Sequence, residues 1–267
     1  MKTRWIIAIL LALGSLIGYF TSTSYNEVTG EKQHVAVTPQ QEIALGLQAA
    51  PQMAREYGGL SSDTAAQREV QRVGGSIARG SAAAKTPYRY EYHLLHDPQT
   101  INAFALPGGQ IFITAGLLKR LKSEGQLAGV LGHETAHVVA RHSAEQIAKQ
   151  QLTQGLTGAA VIAAYDPNNP SSRHSAQVAA LIGNLVNMKF GRDDELEADR
   201  YGVRFMAEAG YDPRSMIGLM KILQAAAQGR NPPEFFSTHP NPENRIAKIQ
   251  QAIQAEFPNG VPPNLKE

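Results

Sequence analysis

The sequence predicts a mixed α+β fold that is predominantly helical. Apolar residues recur at helical spacing through 39–58, 62–78 and 123–152, while the clearest β-prone stretches are 88–95 and 110–114. With 43% hydrophobic and 18% charged residues over 267 positions, the chain can bury one substantial core. One domain over 25–257 is expected, with a separate amino-terminal segment at 1–24 and a frayed tail at 258–267.

Lys2 and Arg4 precede an apolar run from Trp5 to Phe20, short for a membrane span but suited to the h-region of an export signal. No further basic residue appears before Lys32, which keeps that end on the cytoplasmic side. Ser22-Thr23-Ser24 offers small residues for cleavage, yet no A-x-A follows the apolar run closely. A cleaved signal peptide and a retained membrane anchor both stay open, and either one means export. Loss of this segment leaves 23 basic residues against 23 acidic, so no nucleic-acid partner is expected. The absence of cysteine excludes disulfides, thiol catalysis and lipid attachment to a cysteine.

Residues 28–37 form a flexible or strand-like lead-in to a helix over 39–58. A second helix covers 62–78, and Tyr88 to Leu95 turns β-like. Gly108-Gly109 then punctuates the chain before Gln110-Ile111-Phe112-Ile113-Thr114. That stretch has two readings: an edge strand along a cleft, where Gly109, Ile111, Phe112 and Ile113 would pair with an extended peptide, or ordinary core. Ser123 and Gln126 resemble a capping box, opening a helix expected to run to about Leu152 with Leu127, Val130, Leu131, Val138 and Val139 as its buried stripe. Tyr165 to Ser172 is a strong loop signal, read as a surface connection or a lid.

The chemistry concentrates in His133-Glu134-Thr135-Ala136-His137. Residues four apart on a helix lie about 40° from each other around the axis, so His133 and His137 can reach one ion. Glu134 sits beside that face, where a carboxylate can act as general base on a water without binding metal. Zinc at a reactive centre takes three protein ligands and leaves the fourth place to water, whose pKa it lowers to about 7. The third ligand is sought in Arg192 to Gly202, a segment suited to a helix that ends at Gly210. Glu195 is favoured there over Glu197 and Asp194. Asp199, one turn beyond, can accept the ring NH of a metal-bound histidine. His142 lies about 180° from His133 on a continuous helix and is expected to point away as a structural or surface histidine. A third metal-binding histidine of the metzincin type is missing, since Ser143 stands at its place.

His239-Pro240 precedes Asn241-Pro242, which resembles an N-cap with proline at the first helical position. A histidine there can donate to the oxyanion of a tetrahedral intermediate, or approach the metal and hold the site latent. Arg245, one turn further, either ties the loop to a carboxylate or is a solvated surface residue.

Five segments carry a resemblance to the zinc metallopeptidases that include HtpX, BepA and the CAAX prenyl proteases. They are Thr38 to Gly46, Asn102 to Gly109, His133 to His137, Glu195 to Asp199, and Ser237-Thr238-His239-Pro240. The resemblance covers about 38–253 and implies a zincin-like (gluzincin) metallopeptidase domain with a small sheet bordering the cleft. It implies one Zn2+ per chain on His133, His137 and Glu195, with Glu134 as base and His239 near the reaction. It further implies a polypeptide substrate among misfolded or misassembled proteins of a bacterial envelope, and residence in the periplasm, soluble or held at the inner membrane by the amino-terminal segment. A different class of function, a non-catalytic holdase or adaptor with structural zinc, leaves Glu134 without a purpose. CAAX processing lacks the multiple spans that a lipid-embedded substrate would call for.

Overall fold

The computed structural model describes residues 2–164, 190–228, 233–241 and 244–267. They fall into two compact units, 2–38 with 143–164, and Pro39–His142 with the described part of Phe190–Glu267. The architecture is α+β, predominantly helical, with a small mixed sheet in the second unit.

In the first unit, helix α1 (Lys2–Thr21) leads into an antiparallel hairpin of β1 (Thr23–Asn26) and β2 (Glu31–His34). The Asn26 side chain makes the turn: its Oδ1 accepts from the backbone of Val28 and Thr29, and its amide donates to Gln33 Oε1 at 3.0 Å. The hairpin starts inside the expected 1–24 segment, so the lead-in is a strand pair and not a flexible stretch. Thr3–Thr21 is long and apolar enough to cross a membrane by length and composition, and Trp5, Ile6, Ile9, Leu10, Leu13 and Ile17 are exposed.

The second unit begins with α2 (Pro39–Glu56) and α3 (Thr64–Gly80); Asp63 caps the latter by accepting from Ala65 and Ala66. Strands β3 (Glu91–Leu95), β4 (Ala103–Leu106) and β5 (Gln110–Thr114) order as β3-β5-β4, with β5 parallel to β3 and antiparallel to β4. This corrects the edge-strand reading of 110–114. Strand β5 is central, both its backbone edges are paired, and Gly109, Ile111, Phe112 and Ile113 are buried. No backbone there is free for a peptide. Phe112 stacks on Phe104 at 5.1 Å in a cluster with Leu95, covered by Met53 and Tyr57 of the α2 region. The four consecutive apolar or β-branched residues fit a strand packed on both faces. Gly108 shapes the β4–β5 turn: its φ is +78°, and a Cβ there would lie 2.4 Å from Ile43 Cα, so α2 packs against backbone that only glycine permits.

After the one-turn α4 (Ala115–Leu118), α5 (Glu124–Val139) runs through the core with every residue from Gly125 to Val139 buried except Gln126. Ser123 Oγ accepts from Gln126 N, but Gln126 Oε1 accepts from Lys122 N at 2.7 Å, so the expected capping box closes one residue early. The helix does not run to Leu152. Ala140 caps it, Arg141 takes a left-handed φ of 57°, and a separate helix, α6 (His142–Ala164), follows.

Helix α7 (Arg192–Glu208) crosses α5 at glycine. A Cβ on Gly202 would sit 3.3 Å from His133 N and 3.4 Å from its Cα, so the two backbones meet at the motif itself. Helices α8 (Ser215–Ala227), α9 (Phe235–Thr238) and α10 (Arg245–Glu256) complete the unit. Helix α10 starts at Arg245, after Asn244 at φ 63°; Pro242, expected to open it, lies outside the described residues, as does the loop at 165–172. The carboxy-terminal stretch is not frayed throughout: Lys266 bridges to Tyr211, with Asp212 N donating to Lys266 O at 2.7 Å and Lys266 N to Gly210 O at 3.0 Å.

Candidate metal centre

One helical turn on α5 places His133 and His137 with their Nε2 atoms 3.1 Å apart. Helix α7 brings Glu195 between them, Oε2 at 3.5 Å from His133 Nε2 and Oε1 at 3.4 Å from His137 Nε2. Ligand atoms about 2.0–2.1 Å from a tetrahedral ion stand ~3.3 Å from each other, so these three separations fit one small cation. The other two carboxylates weighed for this place are used elsewhere. Asp194 accepts from Gly191 N at 2.8 Å at the start of α7, and Glu197 faces His142.

Charge balance points the same way. Glu134, Glu195 and Asp199 are all buried, and Arg245 is the permanent cation that touches them among the described residues. With the three carboxylates ionised and the imidazoles neutral, as ligation requires, two negative charges remain for a divalent ion to neutralise. Glu195 Oε2 and Arg245 NH1 lie 3.2 Å apart, close enough to attract but not aligned for a hydrogen bond, and both stay without a hydrogen-bond partner. Both Glu134 oxygens are likewise buried and without one. Unsatisfied buried oxygens clustered on one spot are the mark of a missing partner.

The surroundings of the two imidazoles differ. His133 Nδ1 meets Asp199 Oδ1 at 2.9 Å, and Arg245 grips the same carboxylate with Nε to Oδ2 at 2.7 Å and NH2 to Oδ1 at 2.9 Å. Arg245 is therefore a buried clamp and not a surface residue. Burial pulls the His133 imidazole down, but Asp199 and Glu195 outweigh it and bring it to about 9. His137, by contrast, is driven well below its ordinary value by burial. Its Nδ1 faces His142 Nδ1 at 2.8 Å, and Phe190 stacks on its ring at 4.4 Å.

His142 is thus buried behind His137, the structural of its two expected placements, although on a broken helix and not on a continuous one. The left-handed Arg141 redirects the chain, and its guanidinium is held by Glu42 of α2, which also accepts from Tyr88 OH at 2.9 Å. A pair 99 residues apart in sequence left no local signal of this turn.

Burial raises the Glu134 carboxyl, against the pull of His239 and His133, which makes it a stronger proton acceptor than a solvated glutamate. Burial also pushes Glu195 up, but His239, His133 and His137 overcome it and hold that carboxyl far below its ordinary range. Asp199 is likewise lifted by burial and lowered more by Arg245 and His133. His239 follows α9 and is fully buried. Its Nδ1 lies 3.0 Å from Glu195 Oε1, its Nε2 lies 3.6 Å from Glu134 Oε1 without a hydrogen bond, and its ring stacks on Phe235 at 4.4 Å. His133, His137, Glu195 and His239 together offer four ligand atoms within 4.8 Å of one another. The central strand residues Gly109, Ile111, Phe112 and Ile113 form no part of this group.

A predominantly helical α+β domain with this buried histidine and carboxylate group, and a free glutamate beside it, defines a metallopeptidase. Residues 64–253 match peptidase family M48, and the chain belongs to that family. It is similar to the mitochondrial metalloendopeptidase OMA1 of Schizosaccharomyces pombe, 34% identical over 254 residues that cover 94% of this chain and 72% of the relative. It is also similar to the beta-barrel assembly-enhancing protease of Escherichia coli K12, 33% identical over 199 residues covering 70% of this chain and 39% of that protein. OMA1 of Saccharomyces cerevisiae is 32% identical over 171 residues, 61% of this chain and 47% of the relative. The chain thus spans less than half the length of the last two.

Proposed function

We propose that the chain is a zinc-dependent endopeptidase in which His133, His137 and Glu195 hold the ion. The observation that carries this reading is the convergence of His133 Nε2, His137 Nε2 and the Glu195 carboxylate at 3.1–3.5 Å beside a Glu134 whose oxygens lack partners. Two imidazoles and a carboxylate suit zinc, which when bound polarises the scissile carbonyl and acidifies water. Glu134 takes the proton of the attacking water and returns it to the leaving amine, and its raised carboxyl favours the first transfer. Asp199, braced by Arg245, holds His133 in the tautomer with the proton on Nδ1.

His239 belongs to the centre in one of two roles, as donor to the oxyanion from Nε2 or as a further ligand that keeps the site latent. Substrates are polypeptides, and misfolded or misassembled envelope proteins are the class we assign. Helix α1, with Lys2 and Arg4 ahead of its apolar face, is read as an export signal or inner-membrane anchor with the catalytic unit in the periplasm.

Zinc stoichiometry and casein cleavage, measured for wild type and Glu134→Gln, test the reading. One zinc in each and a loss of roughly 10²–10⁴-fold in cleavage for the variant are expected. A wild type that binds no zinc, or a variant that cleaves normally, overturns it. In the same assay, His239→Ala lowers cleavage if the residue steadies the oxyanion and raises it if the residue enforces latency.

A further inference from the structure

We propose that His142 is a positioning residue for His137, forming with Glu197 a hydrogen-bond relay that orients this imidazole toward the metal. The inference rests on the reading of His137 as a ligand through Nε2. A ligating imidazole that uses Nε2 carries its proton on Nδ1 and has to place it on an acceptor. The atom there is His142 Nδ1, 2.8 Å away. His142 then carries its own proton on Nε2, which points to Glu197 Oε2 at 3.3 Å. Each proton in the chain has one acceptor, and the chain ends on a carboxylate near Arg200.

Three features show that this placement is built and not incidental. His142 is buried, although it opens a helix. It reaches His137 because α5 stops at Val139 and Arg141 adopts φ 57°, a conformation unfavourable for a side chain of this size. That residue is in turn held by the buried Glu42, so strain at the turn is offset by an ion pair with α2. On an uninterrupted helix, the same histidine would face elsewhere.

The test measures metal affinity without turnover, by chelator competition on metal-depleted full-length protein refilled with Zn2+, and the visible spectrum of the Co2+-substituted protein. His142→Ala is expected to weaken Zn2+ binding about 10–100-fold, the usual effect of losing such a partner. It should also shift the Co2+ bands. His142→Phe, which keeps an aromatic ring and has no acceptor, should lose as much, while His142→Asn, which keeps an acceptor, should recover part of the affinity. Glu197→Gln should fall between wild type and His142→Ala. Recovery by His142→Phe would reduce the residue to packing and overturn the relay. Wild-type affinity and spectrum in both His142→Ala and Glu197→Gln would also overturn it. His137→Ala serves as the reference: if it binds Zn2+ as wild type does, the ligand reading falls and the relay with it, whereas loss of binding there with no effect at His142 removes the relay alone.

Discussion

His133 and His137 are the same residue on the same helix, one turn apart, and the protein makes them unlike. Behind His133 stands a carboxylate gripped by Arg245; behind His137 stand a second imidazole and a stacked phenyl ring. The first is an ionic support, and the second is neutral until Glu197. With the ligands proposed above, the contrast teaches that the motif specifies where nitrogen atoms point, while the residues behind it decide how strongly each donates. An anion behind a ligand raises its basicity, whereas a neutral acceptor orients it with less added charge.

The largest expected effect comes from breaking the ionic side. Asp199→Ala leaves the Arg245 guanidinium buried without its main partner, which costs about 3–5 kcal/mol. It also removes the His133 acceptor, so Zn2+ affinity should drop by roughly 10–100-fold as well. Urea unfolding of the metal-free protein and chelator competition separate the two; a change below ~1 kcal/mol would show that the clamp is not a support.

Glu42→Ala attacks the other side at one remove. It removes the Glu42 ion pair from Arg141 at the helix break and should cost about 1.5–3 kcal/mol. Because His142 keeps its own hydrogen bonds, the loss in Zn2+ affinity should stay within about tenfold, smaller than for Asp199→Ala. Equal losses of affinity in the two variants would erase the asymmetry.

The smallest effect is a control that touches neither imidazole. Glu124, in the first turn of α5, is held below its ordinary value by Arg72, whose hydrogen bonds outweigh partial burial, with help from Tyr211. Its folded pKa is depressed, so its contribution is full above the unfolded value of about 4.3 and fades as pH falls through the lower folded one. The thermal midpoint of wild type should exceed that of Glu124→Gln by a constant amount from pH 8 to 5, equivalent to no more than about 1 kcal/mol, and converge with it below pH 4. A gap that widens with acid would reverse the sign assigned here.

Much of the centre was legible because helix pitch turns spacing into geometry. His133, Glu134 and His137 follow from one pentapeptide, and Glu195 and Asp199 sit one turn apart on α7 as their spacing requires. The helices were legible for the same reason, with α2, α3 and α7 within a few residues of expectation. What escaped depended on contacts distant in sequence. The end of α5 is set by Arg141 in a conformation that sequence associates with glycine or asparagine, and Glu42, which holds its guanidinium, lies on another helix. The central position of β5 depends on a parallel partner, β3, and parallel pairing leaves no turn to read. His142 could have been found only by allowing the helix to break after Val139.

The crossing at Gly202 also bears on which ions the centre accepts. Backbone touches backbone where α7 passes His133, so the distance from Glu195 to the two imidazoles is gauged by the absence of one methyl group. Gly202→Ala would wedge the helices apart by a few tenths of an ångström and, with the ligands proposed above, widen the cage toward a larger cation. Competition between Zn2+ and Cd2+ reads that gauge directly, and an unaltered preference would mean that the helices close up again around the metal.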